Sequence, residues 1–226
     1  MCTLQLHPPH ALSSRIYSPA KFFSIPTTLN HNRKSRLRAT LSFVEEFPPN
    51  AHRRQSDPQW RGGFSLGIDL GLSRTGLALS KGFSFRPLTV LKLRGEKLEL
   101  RLLDIAEKEE ADEFIIGLPK SWDGKETPQS NKVRSVAGRL AVRAAERGWR
   151  LYLQDEHGTS TEASSLMINM GLRKSARQRS TDAYAAAILL KRYFAASGQG
   201  TELVLPKQID LLEKLRRGVT EEFDSF

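Results

Sequence analysis

Phe64-Ser65-Leu66-Gly67-Ile68-Asp69-Leu70-Gly71 alternates large apolar side chains with small ones, the period of two that marks a strand. Phe64, Leu66, Ile68 and Leu70 share one face, and the other carries only Ser65, Gly67, Asp69 and Gly71. An acid in the middle of such a strand is costly unless it binds something. Gly67 and Gly71 are expected to keep side chains away from that carboxylate and leave room for a metal ion or a phosphate.

Downstream, a tight turn near Leu72-Ser73-Arg74 leads to Thr75–Ser80 and then to Phe85–Leu93. Both read as strands, and their short connections imply antiparallel pairing. Residues 95–110 place Leu98, Leu102, Ile105 and Ala106 at helical spacing. Phe114–Leu118 is a short continuous apolar run, as expected of a strand covered on both faces. Thr127-Pro128 supplies an N-cap and an N1 proline for a helix running to about Arg147. Trp149–Gln154 is a further strand, Thr159–Glu162 reads as a capping box opening a helix, and Gly171 ends it. Leu172–Ser180 reads as a basic loop, Thr181–Ala196 as a long apolar helix, and 206–217 as a short amphipathic one. The fold class is therefore α/β: a mixed five-stranded sheet, with a three-strand antiparallel meander plus parallel strands, flanked by helices.

Upstream, residues 45–62 are Pro-rich and polar and read as a linker. The first 44 residues hold six basic side chains, six serines and four prolines, and the first carboxylate of the chain is Glu45. That bias, without an apolar h-region, is the signature of an organelle transit peptide, leaning towards the chloroplast, with the mitochondrion as alternative. The domain plan is thus transit peptide 1–44, linker 45–62, a globular domain over 63–197 and a tail over 198–226.

The 226 residues carry 35 Lys+Arg against 25 Asp+Glu, a net charge of +10, which favours a polyanionic partner. The longest apolar run, about Ala183–Leu190, is far shorter than the ~20 residues of a membrane span, so no membrane partner is expected. The one cysteine is Cys2, and only His157 of the five histidines falls inside the domain. Disulfides, Cys-ligated zinc and a Cys nucleophile are excluded there. Three carboxylates stand out instead. Asp69 lies on the first strand, Glu156 where the fifth strand ends, and Asp182 in the first turn of an apolar helix. Ligands of α/β sheets gather beyond the carboxyl ends of the strands. Hard oxygen donors from separate elements suit Mg²⁺ or Mn²⁺, and two such ions can activate water and stabilise a leaving oxygen.

With these residues in view, the chain resembles the YqgF (RuvX) family, RNase H-like proteins described as pre-16S rRNA nucleases and earlier as Holliday-junction resolvases. Phe64–Gly71 with Arg74-Thr75-Gly76 is similar to the family's opening strand motif. Ile115-Ile116-Gly117-Leu118-Pro119, with Asp123-Gly124 and Val133-Arg134 beyond, resembles its central strand and loop. Asp155-Glu156 with Thr159-Ser160 and Glu162-Ala163 resembles the third block, and Asp182-Ala183 the final acidic helix. The resemblance covers residues 64–194 and implies that Asp69, Glu156 and Asp182 are catalytic metal ligands for Mg²⁺ or Mn²⁺, two ions being expected. Members carry Arg directly after the Asp-Glu pair, whereas this chain has His157. Arg grips phosphate permanently, and His is charged only below about pH 6.5, so a weaker, pH-dependent phosphate contact is expected there.

Arg173, Lys174, Arg177 and Arg179 crowd the stretch just before Asp182, and Lys120 and Arg134 flank the loop after the central strand. Together with Arg74 and His157 these are the expected nucleic-acid contacts. No aromatic run accompanies them, so backbone and shape readout is expected and base stacking is not. The expected function is metal-dependent endonucleolytic hydrolysis of structured nucleic acid, with precursor 16S rRNA favoured as substrate. The alternatives are a Holliday-junction resolvase acting on DNA and a non-catalytic RNA-binding assembly factor. A resolvase would require a homodimer to cut two strands symmetrically, and the sequence is compatible with a monomer or a homodimer. A two-lobed ATPase of the actin type, which opens on a similar Asp-Leu-Gly turn, needs more chain than is present.

Overall fold

The computed structural model describes residues 47–60, 62–81 and 84–223; the expected transit peptide lies outside them. In chain order the elements are α1 (Asn50–Ser56), β1 (Phe64–Leu70), β2 (Thr75–Lys81), β3 (Ser84–Leu91), α2 (Gly95–Lys108), β4 (Ala111–Leu118) and α3 (Pro128–Ala145). β5 (Arg150–Asp155), α4 (Thr159–Asn169), α5 (Lys174–Ala195), β6 (Glu202–Leu203) and α6 (Ile209–Phe223) complete the domain.

The strands lie in the order β3-β2-β1-β4-β5-β6. β1 pairs antiparallel with β2 and β2 with β3, whereas β1–β4 and β4–β5 are parallel. The expected meander plus parallel strands is present, and β6, antiparallel to β5, adds a sixth strand to the expected five. Two residues are too few to show a period in sequence. β3 forms one edge, where Pro87 removes no ladder bond that the sheet needs.

The period of two in β1 divides the core. Leu66, Ile68 and Leu70 join Leu102, Phe114, Val133 and Leu140 beneath α2 and α3. On the opposite face Ile115, Tyr152 and Ala78 pack against Ala186, Leu190 and Tyr193 of α5. Small residues set this second interface. A Cβ on Gly67 would lie 2.6 Å from Leu190 Cγ and 2.9 Å from the Ala186 carbonyl oxygen. Gly67 therefore admits the helix rather than a ligand, and a Cβ on Gly71 would meet the Arg74 carbonyl of the β1–β2 turn at 2.8 Å. The expectation that these two glycines clear a path to Asp69 is corrected accordingly.

Of three other boundaries, the first is as expected and two differ. Thr127 caps α3 in a reciprocal capping box with Ser130, and Pro128 opens the helix. At α4 the expected box is absent: Gly158 holds the cap position at φ 75°, and Thr159 Oγ1 donates to the Glu156 carbonyl. α5 begins at Lys174, so the stretch read as a loop over 172–180 is largely two further helical turns.

The stretch read as a linker is part of the fold. Phe47, Asn50 and Ala51 are buried, Asn50 N donates to Glu113 Oε2 at 2.8 Å, and Tyr152 OH donates to the Phe47 carbonyl at 2.8 Å. Glu113 is fully buried at the start of β4, and burial holds its carboxyl above the usual range despite nearby Arg150. Ser65 Oγ at 2.8 Å and Tyr193 OH at 2.7 Å donate to its other oxygen. Phe47 also joins Leu211 and Leu215 of α6, so the segments on either side of the central domain meet. A chain lacking residues 1–61 loses the Asn50 donor to Glu113, the Phe47 carbonyl that accepts from Tyr152, and the Phe47 side chain. Its unfolding free energy in urea should fall by about 3–5 kcal/mol relative to a chain beginning at residue 45. Equal midpoints would show that α1 does not dock in solution.

Candidate active site

β1, β4 and β5 point their carboxyl ends the same way, and the three acids gather there. Asp69, near the end of β1, pairs across the ladder with Gly76 of β2. α5 crosses directly over that glycine. A Cβ on Gly76 would fall 2.0 Å from the Asp182 carbonyl carbon and oxygen, so the helix backbone that carries Asp182 rests on the strand. Glu156 follows β5, with its N–H donating to the Leu118 carbonyl of β4 at 3.3 Å. Its side chain folds over Gly117, where a Cβ would stand 1.9 Å from Glu156 Oε2. Gly76 and Gly117 are thus the site's spacers, and sequence reasoning missed both. Their signal was a lone glycine inside each apolar strand, which marks close approach of something else.

Burial raises the Asp69 carboxyl to about 7, with the Asp182 carboxylate adding and Arg74 opposing. Glu156 is raised to about 8, again by burial first and then by Asp69 and Asp155. The three acids therefore share one electrostatic neighbourhood. Carboxyls raised by burial together with a specific charged neighbour are candidates for a functional site.

Arg74 sits inside this neighbourhood. Its Nε lies 2.8 Å from Asp182 Oδ2 in an ion pair, Nη2 donates to Asp182 Oδ1 at 3.2 Å, and Nη1 donates to the Gln178 carbonyl at 2.7 Å. The guanidinium expected to contact phosphate holds an acid instead. Among the described residues, no three acids or imidazoles close into a ready cage for one ion, and Asp182 is turned onto Arg74.

The other expected contacts separate into two groups. Arg173 caps α5, and Lys174, Arg177 and Arg179 occupy its first two turns, with Arg177 Nη1 donating to the Leu172 carbonyl at 2.9 Å. Arg179 is one turn from Asp182. No acid lies in that first turn, so four cations stand at the positive end of a helix dipole, an arrangement that repels itself and attracts anions. His157 is exposed; its N–H bonds Asp155 Oδ1 at 2.8 Å and its carbonyl accepts from Arg192 at 2.6 Å. Lys120 Nζ lies 3.5 Å from Asp155 Oδ2. Arg134 is the exception. It grips Glu126 with Nε at 2.8 Å and Nη2 at 2.6 Å, and Glu202 with Nη1 at 2.7 Å and Nη2 at 2.8 Å. Four charge-assisted bonds commit this guanidinium to the protein, which removes it from the expected substrate contacts.

Acids collected beyond the carboxyl ends of the parallel strands, in a mixed sheet flanked by helices, define an α/β protein with its ligand site at the strand ends. The chain belongs to the RuvX family, whose model, described as a Holliday junction resolvase, matches residues 63–196. A Nocardioides sp. protein named "Putative pre-16S rRNA nuclease" is 36% identical over 137 residues, which cover 58% of this chain and 86% of that protein. A Maridesulfovibrio salexigens protein of the same name is 32% identical over 133 residues, 58% of this chain and 96% of the relative. A structure of T. thermophilus RuvC in complex with a Holliday junction substrate aligns with 62% of this chain and 99% of its own. The identity there is 20% and the TM-score 0.43. The family is one of nucleases, hydrolases of phosphodiester bonds, and its substrate is nucleic acid.

Proposed function

We propose that this protein is a divalent-metal-dependent endonuclease for structured nucleic acid, acting on precursor 16S rRNA in an organelle. The observation that carries the reading is the half-buried pair Asp69 and Glu156, both held above the usual carboxylate range, beside Asp182. Glu156 Oε2 is buried without a hydrogen-bond donor, and a buried carboxylate oxygen in that state suits a hard cation. When bound, Mg²⁺ or Mn²⁺ supplies charge neutralisation for the phosphodiester and lowers the pKa of the attacking water. Asp69 and Glu156 are the residues that would hold it, and Asp182 would join them if its carboxylate turned from Arg74. Arg74 would then carry an unpaired guanidinium beside the site, suited to a phosphate oxygen. Arg173, Lys174, Arg177 and Arg179 hold the backbone of the substrate along the start of α5, and Lys120 and His157 bound the other side.

The carboxylate-free residues 1–44 support import into the chloroplast, with the mitochondrion as the alternative. Names of relatives favour RNA, whereas the family description keeps a branched-DNA substrate as a second reading. Incubating a precursor-rRNA fragment and a four-way DNA junction side by side, with Mg²⁺, Mn²⁺ or EDTA, decides between them. Metal-dependent cutting of the RNA is expected. Cutting of the junction alone transfers the assignment to DNA, and binding without cleavage of either overturns the nuclease reading.

Protons compete with the metal for the same oxygens. With Asp69 at about 7 and Glu156 at about 8, both are largely protonated at pH 6 and ionised near pH 9. Mn²⁺ affinity should therefore rise steeply over this range, on the order of tenfold per pH unit for each proton displaced. Calorimetric titration in two buffers of different ionisation heat measures both the affinity and the protons released. A pH-independent affinity would separate the metal from these two acids.

A further inference from the structure

The loop that leaves β4, residues 119–127, is built as a stiff display for one side chain. Lys120 and Glu126 form a β-bridge at its foot. Ser121 N donates to the Lys125 carbonyl and Gly124 N to the Ser121 carbonyl, both at 2.9 Å. Ser121 Oγ also reaches the Lys125 carbonyl at 2.9 Å, and Gly124 takes φ 77° to close the turn. The four bonds from Arg134 clamp Glu126 against Glu202, and the Thr127 capping box fixes the exit. At the tip stands Trp122, 90% exposed.

A single exposed apolar residue is ordinary on a protein surface. Two observations set this one apart. The other tryptophans are covered: Trp149 packs edge-on against Phe114 with Arg147 over its ring, and Trp60 lies beneath Arg53. Moreover, the loop spends its hydrogen bonds on rigidity while burying nothing of the indole. Its place is also fixed. Gly117, the spacer under Glu156, is five residues before Trp122, so the two backbones are within about 18 Å even if the chain between were fully extended. Lys120, paired with Asp155 at 3.5 Å, and Lys125, paired with Asp123 at 2.7 Å, flank the tip on its two limbs.

We infer that Trp122 is a stacking platform for an unpaired nucleobase at the rim of the active site. This rests on the nucleic-acid reading of that site. Bases inside a duplex have their faces occupied by neighbours, so only a splayed, bulged or single-stranded base can lie on the indole. A preformed turn gives up little entropy on binding. The substrate class is therefore nucleic acid with an unpaired nucleotide close to the cut, rather than uninterrupted duplex. The sequence-based expectation of shape readout without stacking is revised at this one position.

The test is a binding measurement on the full chain in EDTA, where metal-dependent cleavage cannot occur. Fluorescence anisotropy compares a blunt RNA duplex with one of equal charge bearing an unpaired extension, for the parent, Trp122→Ala and Trp122→Phe. Removing one stack should weaken binding to the extended RNA roughly 5- to 150-fold, leave the blunt duplex unchanged, and be largely rescued by Phe. Unchanged affinity for both RNAs in Trp122→Ala would overturn the proposal and leave the indole as a protein contact. Equal loss on both would overturn it too, since stacking on an unpaired base cannot act on a blunt duplex. Selective loss in a protein that cleaves nothing when metal is restored would leave the platform standing and sink the nuclease assignment alone.

Discussion

Asp69→Asn should abolish metal-dependent cleavage and at the same time make the metal-free protein more stable at pH 8. The two effects have one cause. Burial, reinforced by Asp182, lifts the Asp69 carboxyl from 3.8 to about 7, so the folded state prefers the protonated form. The stability this gives is present in full below about pH 4 and is lost as pH rises towards 7. Above that range an ionised, desolvated carboxylate opposes folding by about 2–4 kcal/mol. Asparagine keeps the shape, carries no charge, and has an amide that can donate to Asp182. Thermal melts in EDTA should show the variant above the parent at pH 8, with the difference shrinking to nothing near pH 4. Mg²⁺ should stabilise the parent and leave the variant unmoved. Cleavage should fall on the order of a thousandfold or more, because the charge that recruits the cation is gone and with it several kcal/mol of barrier lowering. Retained cleavage would remove Asp69 from the site. A variant less stable than the parent at pH 8 would show that the carboxylate is not strained there.

The legible parts of the molecule were those with a long period. The β1 alternation, the apolar run of β4 and the Thr127-Pro128 start of α3 each announced their element, and the antiparallel pairing of β1, β2 and β3 followed from their short connections. What stayed hidden were short or locally ambiguous pieces. α1 is seven residues long in a Pro-rich stretch, and its anchors Phe47 and Ala51 bury themselves against elements distant in sequence. Apart from Ala176 the first two turns of α5 are polar or basic, so no apolar stripe marked them as helical; the helix is carried there by Ala183–Leu190 further on. The three acids were readable because each is out of keeping with its element. Arg134 was misread because its two acidic partners, Glu126 and Glu202, come from opposite sides of the chain. Arg74 was placed correctly near the site but not on Asp182, since a pair 108 residues apart leaves no trace in spacing.

The same contrast between backbone and side chain separates the two spacer glycines. In Gly76→Ala the new methyl would sit 2.0 Å from the carbonyl carbon and oxygen of Asp182 and 2.6 Å from Ala183 N. Those are backbone atoms in the middle of a 22-residue helix, which can escape only by lifting from β1 and β2. That motion would open the contacts of Ala186 and Leu190 with the sheet, so the cost should reach or exceed the ~3 kcal/mol typical of severe overpacking. In Gly117→Ala the methyl meets Glu156 Oε2 at 1.9 Å and Cβ at 3.1 Å, so the main obstacle is the tip of a side chain that can rotate away, with a small shift left for its Cβ. Urea unfolding should therefore show a large drop for Gly76→Ala and about 1 kcal/mol or less for Gly117→Ala. Cleavage should nevertheless fall severely in both. In the first the helix bearing Asp182 is displaced; in the second Glu156 is turned out of its place over β4 while the fold survives. A Gly117→Ala protein that is stable, binds substrate in EDTA as the parent does, and has lost Mn²⁺ affinity would assign Glu156 to the metal by its position alone. Full Mn²⁺ affinity and cleavage in that variant would show that Glu156 does not work from over Gly117.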